Sequence, residues 1–265
     1  MKTYVLYHGN CPDGCGAALA AFMKLGGASN LGGQLCPVEY IPVSYGKPPP
    51  AIEQGSFVYI VDFSYPRPVL ERLGCEVCYQ LVVLDHHATA QAELEGLPGC
   101  HFDMTKSGAV LAWEYFHPET PVPLFMLYLQ DRDLWQFKLA QSREVSSAIG
   151  RHPMDFRLWA DWLKEPIETI EGLAMEGVAC LRIKNQQVQN MVKHHRRATL
   201  DGKNKAVKFN PPAVEGEANC FGLSDQFPDL WFCPVSNASV FFSEVGEALL
   251  ELYPDAPFSA SIGVS

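Results

Sequence analysis

The sequence predicts an α/β fold in which a mostly parallel sheet is covered by helices on both faces. Short, nearly continuous apolar runs alternate with helical patterns over about the first 135 residues. Strands of a parallel sheet give such runs because both of their sides are buried against helices. The proline cluster at 48–50 and the glycine pairs at 26–27 and 32–33 fall between the runs, where they indicate loops.

The elements of this half are predicted in the order strand, helix, strand, strand, helix and strand. Apolar periodicity and the intervening loops assign them to 3–8, 14–25, 38–43, 57–62, 66–73 and 77–84. Two further helices are predicted to begin near Ser107 and Val122. Residues 1–158 are therefore interpreted as one α/β domain.

The remainder of the chain predicts a connecting helical segment, 159–200, and a smaller α+β domain, 201–265. Apolar residues recur near helical spacing from about 160, and the pattern ends in the basic run 193–197. Short strand-like pieces follow at 205–209 and 231–233. One more helix is predicted at 243–252, with Ser243 as a suitable N-cap.

Composition and charge exclude several classes of protein. The formal charge of −10 argues against a protein that coats long nucleic acid, because that binding needs many Lys and Arg side chains. No apolar run approaches the roughly 18–20 residues that span a bilayer, so no membrane partner is expected. The N-terminus begins with a strand pattern rather than a signal peptide, and the odd count of nine cysteines favours reduced thiols. We therefore expect a cytoplasmic protein.

Potential metal ligands follow three of the predicted strands. His8 and then Asp13 come after the first strand, Asp62 ends the third, and the triplet Asp85–His87 follows the fourth. The carboxyl ends of parallel strands meet at one edge of a sheet, which is where open α/β sheets place their chemistry. Neutral imidazole and carboxylate suit Mn²⁺, Zn²⁺ or iron. The sequence therefore predicts a metal site assembled from separated segments.

Together with Asp131, these residues form an ordered set that resembles the DHH phosphoesterase superfamily. That superfamily includes RecJ-type exonucleases, nanoRNases that degrade very short oligonucleotides, cyclic-dinucleotide phosphodiesterases and family II pyrophosphatases. The resemblance covers the N-terminal half, with four motifs in the right order. It implies a metal-dependent phosphohydrolase that acts on short oligonucleotides or a related nucleotide through metal-activated hydroxide. It also implies one or two Mn²⁺ or Mg²⁺ ions as cofactor, and it allows a homodimer.

The resemblance further implies a role for each residue. The implied metal ligands are His8, Asp13, Asp62, His86 and Asp131, with Asp62 bridging two ions. His87 would contact the scissile phosphate. Asp85 would orient the neighbouring imidazoles from behind.

The fourth motif, Leu129–Trp135, contains two aspartates. The family pattern of an Asp followed a few residues later by an aromatic favours Asp131 over Asp133 as the ligand. Arg132 is a candidate phosphate contact, although an Arg between two aspartates is at least as often part of a surface ion pair. Ser107 opens a predicted helix whose free backbone N–H groups are a candidate anion site, and the alternative is an ordinary capped helix start.

The chain departs from the family pattern in two places. The first motif carries one Asp where the family has two, and either Cys11 or Cys15 stands in the vacant position, depending on the alignment. The glycine-rich substrate loop of the family's C-terminal domain is also missing, so that domain is interpreted as incomplete. These departures leave a second hypothesis open, a degenerate protein that binds nucleotide or metal without efficient turnover.

Overall fold

The computed structural model describes residues 1–31, 34–193, 195–201, 207–209, 222–224, 227–237, 241–254, 256 and 259–262. They belong to two compact units, Met1–Cys180 and Leu181–Ser265. The first unit extends beyond the predicted boundary at residue 158. The boundary between the units falls inside a single long helix.

The first unit contains a six-stranded sheet. Its strands are β1 (Thr3–His8), β2 (Ala28–Leu31), β3 (Gln34–Val43), β4 (Ser56–Val61), β5 (Cys78–Asp85) and β6 (Cys100–Phe102), in the order β2-β3-β1-β4-β5-β6. All neighbours pair in parallel except β2, which is antiparallel to β3. The predicted mostly parallel sheet is confirmed. The sequence predicts a loop where β2 lies. It does so because glycine pairs flank this short strand.

Eight helices begin in the first unit, and they cover both faces of the sheet. They are α1 (Pro12–Leu25), α2 (Arg67–Arg72), α3 (Ala88–Glu93), α4 (Gly108–Phe116), α5 (Leu124–Asp133), α6 (Ser142–Ile149), α7 (Phe156–Trp162) and α8 (Pro166–Val192). A π-helical turn, Leu73–Val77, follows α2.

Side chains of each strand alternate between two buried clusters. Val5 and Val61 lie in one cluster with residues of α1, α4 and α5. Leu6 and Ile60 lie in the other, which also contains Leu70 of α2. The prediction of helices on both faces is therefore confirmed.

Small residues let α1 approach α4 closely. A Cβ added at Gly16 would lie 2.8 Å from the Cβ of Ala109 and 2.5 Å from the Cδ1 of Leu129, so the position has room only for glycine. Half of the other buried positions of α1 are alanine: Ala17, Ala18, Ala20 and Ala21. This close packing brings the first turns of α1 and α4 together at the carboxyl edge of the sheet.

The strand order places a topological switch point at that edge. From β1 the chain first builds β2 and β3 on one side, and then returns to build β4, β5 and β6 on the other. In open α/β sheets, ligands bind where the order reverses in this way. Here that point lies between the ends of β1 and β4.

The second unit is α+β. Its strands β7 (Arg196–Asp201), β8 (Val207–Phe209), β9 (Gly222–Ser224), β10 (Phe227–Asn237) and β11 (Ala260–Ile262) form one sheet, and α9 (Phe242–Leu252) packs on the end of α8. α9 corresponds to the helix predicted at 243–252. β7 begins inside the predicted connecting segment, 159–200, whereas His194 of its basic run and Lys205 lie outside the described residues.

None of the helices in the described part of the chain has both the length and the apolar character that crossing a bilayer requires.

Two glycines of α8 provide a matched test of this packing. A Cβ at Gly177 would lie 1.9 Å from the backbone oxygen of Glu144, whereas a Cβ at Gly172 would meet nothing within 4 Å. We predict that Gly177→Ala lowers the free energy of unfolding by about 2–3 kcal/mol through overpacking. Gly172→Ala should raise it by about 0.5–1 kcal/mol, since alanine favours a helix interior. Urea denaturation measures both, and equal effects would contradict the packing of α8 on α6.

Candidate metal centre

The candidate centre lies at the edge where three neighbouring parallel strands end. β1 ends at His8, Asp62 follows β4, and β5 ends at Asp85, which precedes His86 and His87. The first residues of α1 and α4 and the last residue of α5 complete the surroundings. The convergence expected of these separated segments is therefore present.

Asp62 occupies the middle of the centre. One carboxylate oxygen lies 3.1 Å from Nε2 of His86, and the other lies 3.5 Å from Nδ1 of His8. The side chain is 2% exposed. The two carboxylate oxygens of Asp62 therefore face two neighbouring groups of ligand atoms, which is the arrangement of a bridging carboxylate.

The backbone of Asp62 is constrained to give this position. Its φ is +54°, in the left-handed region, and its N–H donates to the carbonyl of Leu84 at 2.9 Å. A Cβ at Gly108 would lie 2.4 Å from the Cβ of Asp62, so α4 can begin here only with glycine. Residues other than glycine adopt a left-handed conformation at an energetic cost, and residues strained in this way cluster at functional sites.

Asp13 joins the opposite side of the centre. Its carboxylate accepts hydrogen bonds from the backbone N–H groups of Gly108 at 2.6 Å and Ala109 at 3.1 Å, and it lies 3.7 Å from Nε2 of His86. The resemblance implied that Asp13 shares an ion with His8. In the structure its carboxylate groups instead with His86 and Asp133.

The fourth motif contributes Asp133 rather than Asp131. The carboxylate of Asp133 lies 3.6 Å from Nε2 of His86 and belongs to the group formed with Asp13. Asp131, which the family pattern favours as the ligand, lies two residues earlier in α5, points in a different direction and is not part of this group.

Asp131 has a structural role instead. Its carboxylate accepts the N–H groups of Lys138 at 2.9 Å and Leu139 at 3.0 Å, and its carbonyl accepts those of Gln136 and Phe137. Four backbone N–H groups of the loop after α5 thus depend on one residue. This loop includes left-handed residues, Trp135 among them, and needs such an anchor.

Asp85 and His87 are arranged as the resemblance implies. Asp85 is fully buried, and its carboxylate accepts from Ser64 Oγ at 2.5 Å and from the backbone N–H of His86 at 2.8 Å. It also lies 2.7 Å from Nδ1 of His87. This hydrogen bond raises the pKa of His87. Because Nδ1 faces Asp85, Nε2 is the ring nitrogen left to contact a substrate.

The two candidate cysteines differ in their surroundings. The Cys11 thiol lies in a group with His8 and Asp62 whose ligand atoms are all within 4.8 Å of one another. Cys15 is 1% exposed and belongs to the apolar core between the sheet and its helices. Cys11 is thus the thiol at the centre, and Cys15 is not a substitute ligand.

Ser107 does not offer the open anion site that the sequence suggested. Ser107 is buried and caps α4 by accepting from the N–H of Val110, and the next two amides are taken by the Asp13 carboxylate. The ordinary capped helix start is therefore the correct alternative. The Arg132 guanidinium lies 4.2 Å from the centre of the Trp135 ring, a cation–π contact.

Three carboxylates face one another in this confined space. Burial and the charges of Asp62 and Asp133 raise the pKa of Asp13 well above its usual range. Burial and the charge of Asp62 likewise raise the pKa of Asp133. Burial also acts to raise the pKa of Asp62, but hydrogen bonds with His8 and His86 outweigh it and lower this pKa. The arrangement is suited to a cation, which would offset the mutual repulsion.

Sequence reasoning missed Gly108, Ser64 and Tyr45. Gly108 and Ser64 support ligands through close approach or hydrogen bonding from another segment, and no local pattern signals that. Tyr45 lies in a turn after β3, with its ring centre 5.4 Å from that of His8.

Comparison with known proteins gives no function. No family model matches the chain. An uncharacterized protein of Acanthamoeba polyphaga mimivirus is 35% identical over 173 residues, covering 62% of this chain and 40% of the viral protein. The chain thus spans about two fifths of that relative's length. The crystal structure of an uncharacterized protein from Helicobacter pylori G27 aligns with 99% of this chain and 83% of that chain, at 11% identity and a TM-score of 0.43.

The different roles of the two aspartates in α5 can be separated by stability measurements. Asp131→Ala leaves two loop amides without their acceptor, so we predict a loss of about 2–4 kcal/mol in the free energy of unfolding. Asp133→Asn removes one of three repelling carboxylates, and it should stabilise the metal-free protein by about 1 kcal/mol. Urea denaturation in the presence of EDTA measures both. A loss for Asp133→Asn as large as that for Asp131→Ala would show that Asp133 is structural.

Proposed function

We propose that the chain is a divalent-metal-dependent phosphohydrolase of the DHH type that cleaves phosphodiester or phosphoanhydride bonds in short oligonucleotides or related nucleotides. One observation carries the proposal. Ligand atoms from four separated segments converge around Asp62, whose two oxygens face His8 on one side and His86 on the other.

The donor atoms fit two adjacent ions. His8, Cys11 and Asp62 form one group, and Asp13, His86 and Asp133 form a second. The atoms within each group are no more than 4.8 Å apart, a spacing that small side-chain adjustments bring to a common ion. Asp62 reaches both groups and would bridge them.

The donor types also constrain the metal. Carboxylate and imidazole suit Mn²⁺, and carboxylate alone suits Mg²⁺. The Cys11 thiol adds a softer ligand to the first group, which favours Mn²⁺, Fe²⁺ or Zn²⁺ over Mg²⁺ there. In this proposal Cys11 takes the place of the second aspartate that the first motif lacks.

Two bound ions would supply an activated water for in-line attack on phosphorus and would neutralise the developing charge. His87 contributes from the protein side. Asp85 binds Nδ1 of His87. Nε2 of His87 is then free to donate a proton to, or accept one from, the phosphoryl group or the leaving oxygen. The pairing of His87 with a buried carboxylate supports this role, because it fixes both the tautomer and the ring orientation.

The proposed substrate is short because the chain is acidic. A net charge of −10 does not attract a long polyanion, whereas a small phosphate ester needs only the ions and a few contacts. We also propose a cytoplasmic location. Seven cysteines are free thiols, as expected in a reducing compartment: Cys11, Cys15, Cys36, Cys75, Cys78, Cys100 and Cys180.

A second candidate is a degenerate protein that binds metal or nucleotide without efficient turnover. The observation in its favour is the thiol of Cys11 at the position of a missing carboxylate, where burial and the charge of Asp62 raise its pKa and thereby hinder metal binding as thiolate.

The two candidates differ in hydrolysis of bis-p-nitrophenyl phosphate. We predict that saturating Mn²⁺ produces p-nitrophenol release from the purified protein and that EDTA abolishes it. His87→Ala should lower kcat by about 10²-fold or more, because it removes a positioned acid–base group. Release is followed by absorbance.

His152→Ala is the matched control, since His152 pairs with Glu176 on the surface and does not belong to the centre. Its rate should equal that of the unmodified protein. Manganese binding without any manganese-dependent release would reject hydrolysis and favour the degenerate binder. Equal rates for the His87 and His152 variants would reject the role of His87.

A further inference from the structure

A tight turn places Tyr45 beside the candidate metal centre. The turn spans Ser44–Lys47, with the Lys47 N–H donating to the Ser44 carbonyl at 3.3 Å and Gly46 at a φ of +77°. A positive φ at this position is the conformation that glycine adopts without strain. The turn follows β3 directly and leaves Tyr45 53% exposed.

One face of the Tyr45 ring is supported from within the protein. The ring centre lies 4.4 Å from that of Phe63, with an angle of 34° between the ring planes. Phe63 is 1% exposed and packs in turn against Tyr65 at 4.9 Å. Phe63 therefore supports the Tyr45 ring from below, while the residue as a whole stays about half exposed.

This exposed ring stands next to the residues proposed to act on phosphate. Its centre lies 5.4 Å from the ring of His8 and 6.2 Å from the ring of His87. A ligand whose phosphate occupies the centre would therefore extend past Tyr45 with its next chemical group. Aromatic side chains take up nucleobases by stacking, and this binding tolerates any base because each has a π-face.

We propose that Tyr45 is a stacking platform for the nucleobase attached to the phosphate at the centre. The inference rests on the proposed function and adds to it a residue that binds the base of the nucleotide substrate. A supported ring is suited to this purpose, since Tyr45 already packs against the buried Phe63 before a ligand arrives. The platform selects for an aromatic base and not for its identity.

Equilibrium binding of AMP and of ribose 5-phosphate tests the inference without requiring turnover. The two ligands share sugar and phosphate and differ only in the base. In isothermal titration with Mn²⁺ present, AMP should bind more tightly than ribose 5-phosphate. Tyr45→Ala should weaken AMP binding by about tenfold, in the range measured for single stacked bases, and leave ribose 5-phosphate unchanged.

Two further variants distinguish stacking from a purely structural role. Tyr45→Phe retains the ring and should retain AMP affinity, whereas Tyr45→Leu retains apolar cover over Phe63 and should lose it. Circular dichroism confirms that each variant is folded. Equal weakening of both ligands in Tyr45→Ala, or AMP binding no tighter than ribose 5-phosphate in the unmodified protein, would overturn the inference.

The binding experiments on Tyr45 and the hydrolysis assay that tests the proposed function can fail independently. Base-dependent binding through Tyr45 without manganese-dependent hydrolysis would support the platform and reject the hydrolase. Hydrolysis of bis-p-nitrophenyl phosphate without a preference for AMP would support the hydrolase and reject the platform.

Discussion

The mutual repulsion of three carboxylates at one edge of the sheet is the constraint on which the rest of this site depends. Asp13, Asp62 and Asp133 approach the same imidazole, that of His86, from three different segments. Without a cation, such an arrangement lowers the stability of the fold, since buried like charges disfavour the ionised forms. Proteins retain such clusters where function requires them, because activity and stability are often in conflict at active sites.

The α/β scaffold imposes this arrangement through its backbone as much as through its side chains. The left-handed conformation of Asp62, the absence of a side chain at Gly108 and the hydrogen bonds from the start of α4 to Asp13 all act at the same point. The N-terminus of α4 therefore does bind an anion, and that anion is the carboxylate of Asp13. A second carboxylate, Asp85, lies behind the strand ends and orients His87. The ligands are thus held by hydrogen bonds that do not depend on a bound ion.

The fold and most of the centre could be predicted from sequence because their signals are local. Apolar runs identify the buried parallel strands, and the residues that follow those runs must share one edge. The choice between Asp131 and Asp133 could not be made in this way. Both lie in the last turn of α5, and their roles are decided by the path of the following loop, whose amides happen to meet Asp131. Tyr45 was missed for a related reason, since its relation to His8 and His87 exists only after β3 and β1 have paired.

Anomalous diffraction from crystals grown with Mn²⁺ tests the central claim most directly, because it locates the ion without reference to activity. The account predicts manganese peaks on both sides of the Asp62 carboxylate, one near His8 and Cys11 and the other near His86 and Asp133. A single peak at one of these positions would retain the centre with one ion. No ordered peak within reach of Asp62 at saturating Mn²⁺, or an ion coordinated by Asp131 in place of Asp133, would contradict the account.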